Sequence, residues 1–193
     1  MNITNPKEVM IKSLEIACEF DSYRKTQGLY DTNVSTDIDY QKNFNSYYRV
    51  RRDRNWLKEY YDFMENHKSD KKISFEKILR KISSVPHKAK NGVITSIEAS
   101  FSSKMLATIN PNYPIWDRQV VKALGISIDP TLVGEDKIKA YVEAYTKLTR
   151  EIGDFIKTEA GELCIKQFDA TFPNLTGINP VKKIDYYLWN IGK

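Results

Sequence analysis

Along this chain apolar residues recur at three- and four-residue intervals and seldom alternate, a pattern that predicts helices nearly throughout. The clearest case lies between Gly134 and Thr158, where Ile138, Val142, Tyr145, Leu148, Ile152 and Phe155 mark one face. Phe75, Ile78, Leu79 and Ile82 repeat the pattern behind Ser74, a good helix cap, and Pro86 ends it. A first helix is expected from Asn5, with Pro6 in its first turn, to about Phe20, followed by connecting structure to about residue 40. Tyr40 to about His67 reads as one long aromatic helix. After a polar stretch from His87 to Gly92, Thr95 and Glu98 have the spacing of a capping box and predict a helix from Thr95, stopped by Asn110-Pro111-Asn112-Tyr113-Pro114. Asp117 opens a short helix closed by Gly125. A helix over about 159–170 and a last one opened by Asn179-Pro180 complete an all-α chain, which suits one helical domain or two lobes, about 1–90 and 91–193, around a shared core.

Composition narrows the function. At 193 residues the chain can bury a core without disulfides or a structural metal. Its two cysteines, Cys18 and Cys164, form no CxxC pair, and its two histidines stand twenty positions apart, so no zinc ribbon or multi-histidine metal site is expected. The same cysteine usage suits a reducing cytoplasm. No apolar run approaches a membrane span, and the first ten residues lack the features of a signal peptide. The 8 glycines include no G-x-G-x-x-G or P-loop spacing, which disfavours nucleotide-driven chemistry. No cofactor is called for.

Charge then changes the picture. Arg49 to Lys90 holds thirteen Lys/Arg and six acids, net +7, against +5 for the whole chain, so all other residues sum to −2. Such segregation fits a face that binds a polyanion, because each neutralised phosphate releases a counterion; it also fits a merely solvated helix face. Arg49, Arg51, Arg52, Arg54, Lys88 and Lys90 are the candidate DNA contacts. Tyr47, Tyr48, Trp56, Tyr60 and Tyr61, interleaved with the charge, either stack on bases or form core.

The chemistry-bearing stretch is S-I-E-A-S-F-S-S-K-M-L-A-T-I-N-P-N-Y-P-I-W-D-R-Q-V-V-K-A-L-G, residues 96–125. On a helix from Thr95, Lys104 falls at the edge of the stripe of Ile97, Phe101, Met105 and Ile109, a half-buried position. An amine there loses hydration, which lowers its pKa and favours the nucleophilic form; the plainer reading is a lysine whose stem covers apolar surface. Asp117 reads first as a helix cap. The chain from Lys104 to Asn110 rises about 9 Å as helix, and the return to Asp117 spans enough to bring the carboxylate back beside the amine. An amine that attacks a sugar carbon and a carboxylate that stabilises positive charge on that carbon make a workable pair.

S-S-K-M-L followed by N-P-N-Y-P-I-W-D-R-Q-V, together with the terminal D-Y-Y-L-W-N-I-G-K, resembles the helix-hairpin-helix DNA glycosylases, in particular a divergent bacterial group similar to 8-oxoguanine DNA glycosylase. The resemblance implies a two-lobed all-helical fold with damaged double-stranded DNA between the lobes and a nucleotide flipped into a pocket. It implies Lys104 as nucleophile and Asp117 as its carboxylate, with or without lyase activity. In place of the family's glycine-rich hairpin the chain has I-E-A-S-F-S-S. Either Ser100, Ser102 and Ser103 shape a different turn against the DNA backbone, or the segment is continuous helix and that anchor is lost. Tyr113, Trp116 and Trp189 are candidates to line the pocket, or else pack the helices they adjoin. A catalytically inactive nucleic-acid-binding or host-defence protein of the same fold is the alternative, and a helical interaction module with a solvated basic face is a third reading. Oligomeric state and lesion preference are not legible.

Overall fold

The apolar periodicity becomes helices in the computed structural model, which describes Ile3, Pro6, Val9 and residues 17–193. Nine helices are described in full: α1 (Ala17–Gly28), α2 (Ile38–Tyr48), α3 (Arg54–Asn66), α4 (Phe75–Ser83), α5 (Ala99–Ile109), α6 (Arg118–Ala123), α7 (Gly134–Ile156), α8 (Glu159–Thr171) and α9 (Pro180–Gly192). Two three-residue strands, β1 (His87–Ala89) and β2 (Gly92–Ile94), pair antiparallel between α4 and α5. The chain is mainly α, and no helix among the described residues is long and apolar enough to cross a membrane.

Capping residues set most helix starts. Asp37, Asp53, Ser74, Asp117, Thr158 and Asn179 each accept a backbone N–H of the first turn with a side-chain oxygen, supplying a partner that the helix itself lacks there. The expected starts at Ser74, Asp117 and Asn179 are among them. The expected start at Asn5 lies outside the described residues.

Four expectations are corrected. Helix α1 continues past Phe20 to Gly28, because no breaker precedes that glycine and Tyr23 and Thr26 are buried. The long helix over 40–67 is two helices: Arg49 takes a left-handed conformation, φ 53°, closing α2, and Asp53 starts α3. The Thr95–Glu98 capping box does not form. Glu98 makes no cap hydrogen bond, and α5 begins at Ala99. Residues 87–92, read as a polar stretch, belong to the hairpin of 87–94.

The described residues form two compact units: Cys18–Asn110, and Pro111–Lys193 with the described residues before Cys18. The break at Asn110–Pro111 differs from the expected one near residue 90, since α5 packs on α4 and stays with the first unit. That unit has an aromatic core in which the Phe44 ring lies 4.6 to 5.9 Å from those of Tyr40, Tyr48, Tyr60 and Tyr61. Trp56 stacks on Tyr60, and Met105, Leu106 and Ile109 of α5 are fully buried. Trp56, Tyr60, Tyr61 and Tyr48 are therefore core rather than platforms for bases.

In the Pro111–Lys193 unit, α9 packs most closely on α6 and also meets α7 and α8. Leu148, Ile152, Phe168, Ile184 and Tyr187 fill its centre. Two glycines permit backbone contact. A Cβ on Gly192 would lie 2.1 Å from the Gln119 carbonyl oxygen of α6, and one on Gly161 would lie 2.0 Å from that of Phe155 at the α7–α8 corner. Backbone cannot rotate away as a side chain can, so Gly161→Ala is expected to lower stability by roughly 1–3 kcal/mol. A lower urea midpoint at unchanged slope checks this.

Candidate nucleic-acid interface and catalytic residues

The net charge of the protein resides in one unit. Cys18–Asn110 carries 17 Lys/Arg against 12 Asp/Glu, whereas Pro111–Lys193 carries 11 of each. Within the charged unit the break between α2 and α3 is decisive, because it turns residues 49–53 into a loop and leaves Arg49 and Arg51 exposed, with Arg54 exposed at the start of α3. The hairpin is tied to this loop. Asp53, while capping α3 with Oδ1, accepts the Lys88 N–H on Oδ2 at 2.9 Å. The Lys88 N–H holds the Asp53 carboxyl below the usual carboxylate range, and the N–H groups of Trp56 and Asn55 add to this. Lys88 and Lys90 are exposed, so the hairpin adds two cations to the three exposed arginines of the loop and the start of α3, and the Asp53 carboxylate also attracts the Lys88 ammonium.

Arg52 does not join them. Its guanidinium grips Glu98 at 2.7 and 3.0 Å and lies 4.8 Å over the Phe101 ring and 5.7 Å over Trp56. Glu98 is 5% exposed, and its Oε1 also accepts the Ser96 hydroxyl at 2.7 Å. A buried carboxylate needs such a set of partners, which explains why Glu98 serves Arg52 and not a capping box. Arg52 thus braces the loop from inside.

Lys104 sits in the same unit. It is half-buried, its Nζ donates to the Tyr48 carbonyl at 2.9 Å, and the ammonium lies 5.2 Å over the Phe101 ring. Tyr48 is the last residue of α2 and precedes Arg49, so the amine is held where the basic loop begins. The segment before it is helix from Ala99 onward, with Ile97 and Glu98 outside it. Ser102 and Ser103 are fully buried, and Ser103 donates to the Ser100 carbonyl. Neither buried serine meets a DNA backbone from there, and only the half-buried Ser100 keeps access to solvent.

Asp117 belongs to the other unit. It is half-buried and caps α6, its Oδ1 accepting the Gln119 N–H at 2.8 Å. The double-proline bend before it is pinned from two sides. Tyr145 of α7 donates its hydroxyl to the Pro114 carbonyl at 2.7 Å, and Asp185 of α9 accepts the Ile115 N–H at 3.0 Å. Tyr113 is half-buried beside Tyr145, and Trp116 packs edge-on to Tyr141 at 5.4 Å. Trp189 is half-buried, with the Lys193 ammonium 3.6 Å from its ring centre.

Asp185 is the residue that sequence reasoning missed. It is 4% exposed, and its Oδ1 has no hydrogen-bond partner. Burial pushes its carboxyl up to about 7; Lys182 and the Ile115 N–H oppose this, and the charge of Asp117 adds to it. A signal existed: on the last helix an acid at 185 stands three and four positions before Leu188 and Trp189, inside the apolar face. Burial also pushes the Cys164 thiol up to about 11, which makes it a poor nucleophile. No cluster of three or more His, Cys, Asp or Glu fit to hold a metal occurs among the described residues. The chain matches no protein-family model, no curated protein and no solved structure.

Proposed function

We propose that this protein is a DNA glycosylase, with or without lyase activity, that removes an oxidised purine such as 8-oxoguanine from double-stranded DNA. The observation that carries the reading is the placement of Lys104: its amine is held at the start of the Arg49–Arg54 loop, in the unit that bears all the net charge. Exposed cations attract the polyanion, and an amine fixed among them meets the sugar of a nucleotide turned out of the stack. The neutral amine attacks C1′, the bond from C1′ to the base breaks, and the base leaves with the electron pair and takes up a proton. The attached nitrogen gives up a proton, the C1′–O4′ bond opens with O4′ taking a proton up, and the Schiff base so formed loses a C2′ proton as the 3′ phosphate departs with the C3′–O electron pair, which cuts the strand.

The second reading, a nucleic-acid-binding or host-defence protein without catalysis, draws on two specific features: the buried serines in a continuous α5, and the engagement of the Lys104 amine with the Tyr48 carbonyl. One experiment separates the two. Duplexes bearing 8-oxoguanine, other oxidised purines or an abasic site are incubated with the protein and borohydride, which reduces a Schiff base to a stable amine. A covalent adduct and release of the base are expected. Duplex binding with neither product across the lesions overturns the catalytic reading and leaves the second.

A further inference from the structure

The hairpin joins two features that seldom occur together: exposed cations with no acid of its own, and apolar side chains left in water. Its strands pair His87 with Ile94, Lys88 with Val93 and Ala89 with Gly92, so the turn is Lys90-Asn91, and Gly92 at φ 123° supplies a backbone that other residues rarely adopt. Residues directly opposite in an antiparallel pair share a face, so Lys88 and Val93 stand together on one side. Val93 is 68% exposed and Ile94 46%. From Ser84 to Ile97 the only charged residues are Lys88 and Lys90.

A two-stranded ribbon with both edges open is marginal alone, and this one is fastened only at its root. Asp53 takes the Lys88 N–H, and His87 is buried at 6% exposure, with Nδ1 3.9 Å from the Glu98 carboxylate. The root is thereby fixed to the basic loop; Val93 stands beside Lys88 on one face of the ribbon, and Ile94, opposite His87, is exposed on the other.

We infer that this hairpin is a probe of a nucleic-acid groove, in which Lys88 and Lys90 neutralise phosphates while Val93 and Ile94 contact the sugars and base edges between them. The inference rests on the DNA-binding part of the proposed function and not on its chemistry. Charge selects the occupant, because the hairpin and the adjoining loop together present five exposed cations against one acid, the Asp53 that ties them and attracts Lys88. Size agrees: three residues of strand extend about 10 Å, and a duplex groove is about 8 Å deep. Apolar residues carried into a groove beside basic ones also widen or unstack it, which helps to expose a nucleotide.

Fluorescence anisotropy of the full chain with a labelled 20-base-pair duplex, from about 50 to 200 mM salt, tests this through two double variants. V93S/I94S removes exposed apolar surface without touching the core. It is expected to weaken binding about tenfold at every salt concentration, with the slope of log affinity against log salt unchanged. K88Q/K90Q is expected to flatten that slope by close to two phosphate contacts' worth. Wild-type affinity in V93S/I94S overturns the groove contact while leaving DNA binding by the loop intact. An unchanged slope in K88Q/K90Q overturns the phosphate assignment. Absence of duplex binding by the wild type overturns both this inference and the function on which it rests, whereas binding without a borohydride adduct removes only the chemistry.

Discussion

Lys104→Gln is expected to abolish the borohydride adduct and to slow base release by on the order of a thousandfold or more, while leaving duplex binding nearly intact. Glutamine keeps a donor for the Tyr48 carbonyl and keeps most of the stem that lies along α5, so the change removes the nucleophile and little else. Loss of the ammonium over the Phe101 ring is worth about 1 kcal/mol, well below the margin of a folded domain. Because Lys104 is a single half-buried cation beside five exposed ones, the salt dependence of binding should fall by no more than one contact. Gel analysis of trapped products and anisotropy on the same preparations give the two readouts. An adduct that persists in Lys104→Gln assigns the nucleophile to another amine. Equal DNA binding, with neither protein reacting, favours the non-catalytic reading.

What the sequence could and could not reveal follows from the range of the forces involved. Local signals were sufficient where helices are set locally: Ser74, Asp117 and Asn179 cap the helices their spacing predicts, and the stripe from Ile138 to Phe155 lies on α7, half-buried at Ile138 and Val142 and buried from Tyr145 on. The errors arose where a distant partner decided the outcome. Glu98 has the spacing for a capping box, yet Arg52, 46 positions earlier, takes its carboxylate, and the helix starts later in consequence. The left-handed turn at Arg49 carries no glycine to announce it, and without that turn the basic residues would line one helix instead of forming a loop. The hairpin turns at Lys90-Asn91, one position short of the Asn-Gly pair that would announce it, and strands of three residues are too short to show alternation. For the candidate site, the residue types and the half-burial of Lys104 were legible in sequence. The Tyr48 carbonyl that holds its amine, the loss of Arg52 to Glu98 and the burial of Ser102 and Ser103 were not, because each depends on contacts between elements.

Asp185→Asn is expected to stabilise the protein above neutral pH and to have little effect near pH 4. The carboxyl of Asp185 titrates at about 7 in the fold against an ordinary 3.8, chiefly because burial penalises its charged form. A carboxyl raised in this way adds stability fully below its unfolded value; that stability is lost as pH climbs from about 4 through 7, since the unfolded chain releases the proton first. The gap corresponds to about 4 kcal/mol once both states are ionised. Asparagine cannot ionise, and its carbonyl oxygen can still accept the Ile115 N–H that holds the bend before Asp117. Thermal unfolding of wild type and variant between pH 4 and 8.5 reads the difference: a melting temperature for the variant that pulls ahead as pH rises, converging with wild type in acid. A constant offset at all pH values means that the carboxyl is paired or hydrated when ionised, and that its orphaned oxygen is not the source of the shift. The same comparison bears on function, because an Asp185 left neutral spares Asp117 a second negative charge beside it, whereas ionisation of both carboxyls crowds like charges at one bend.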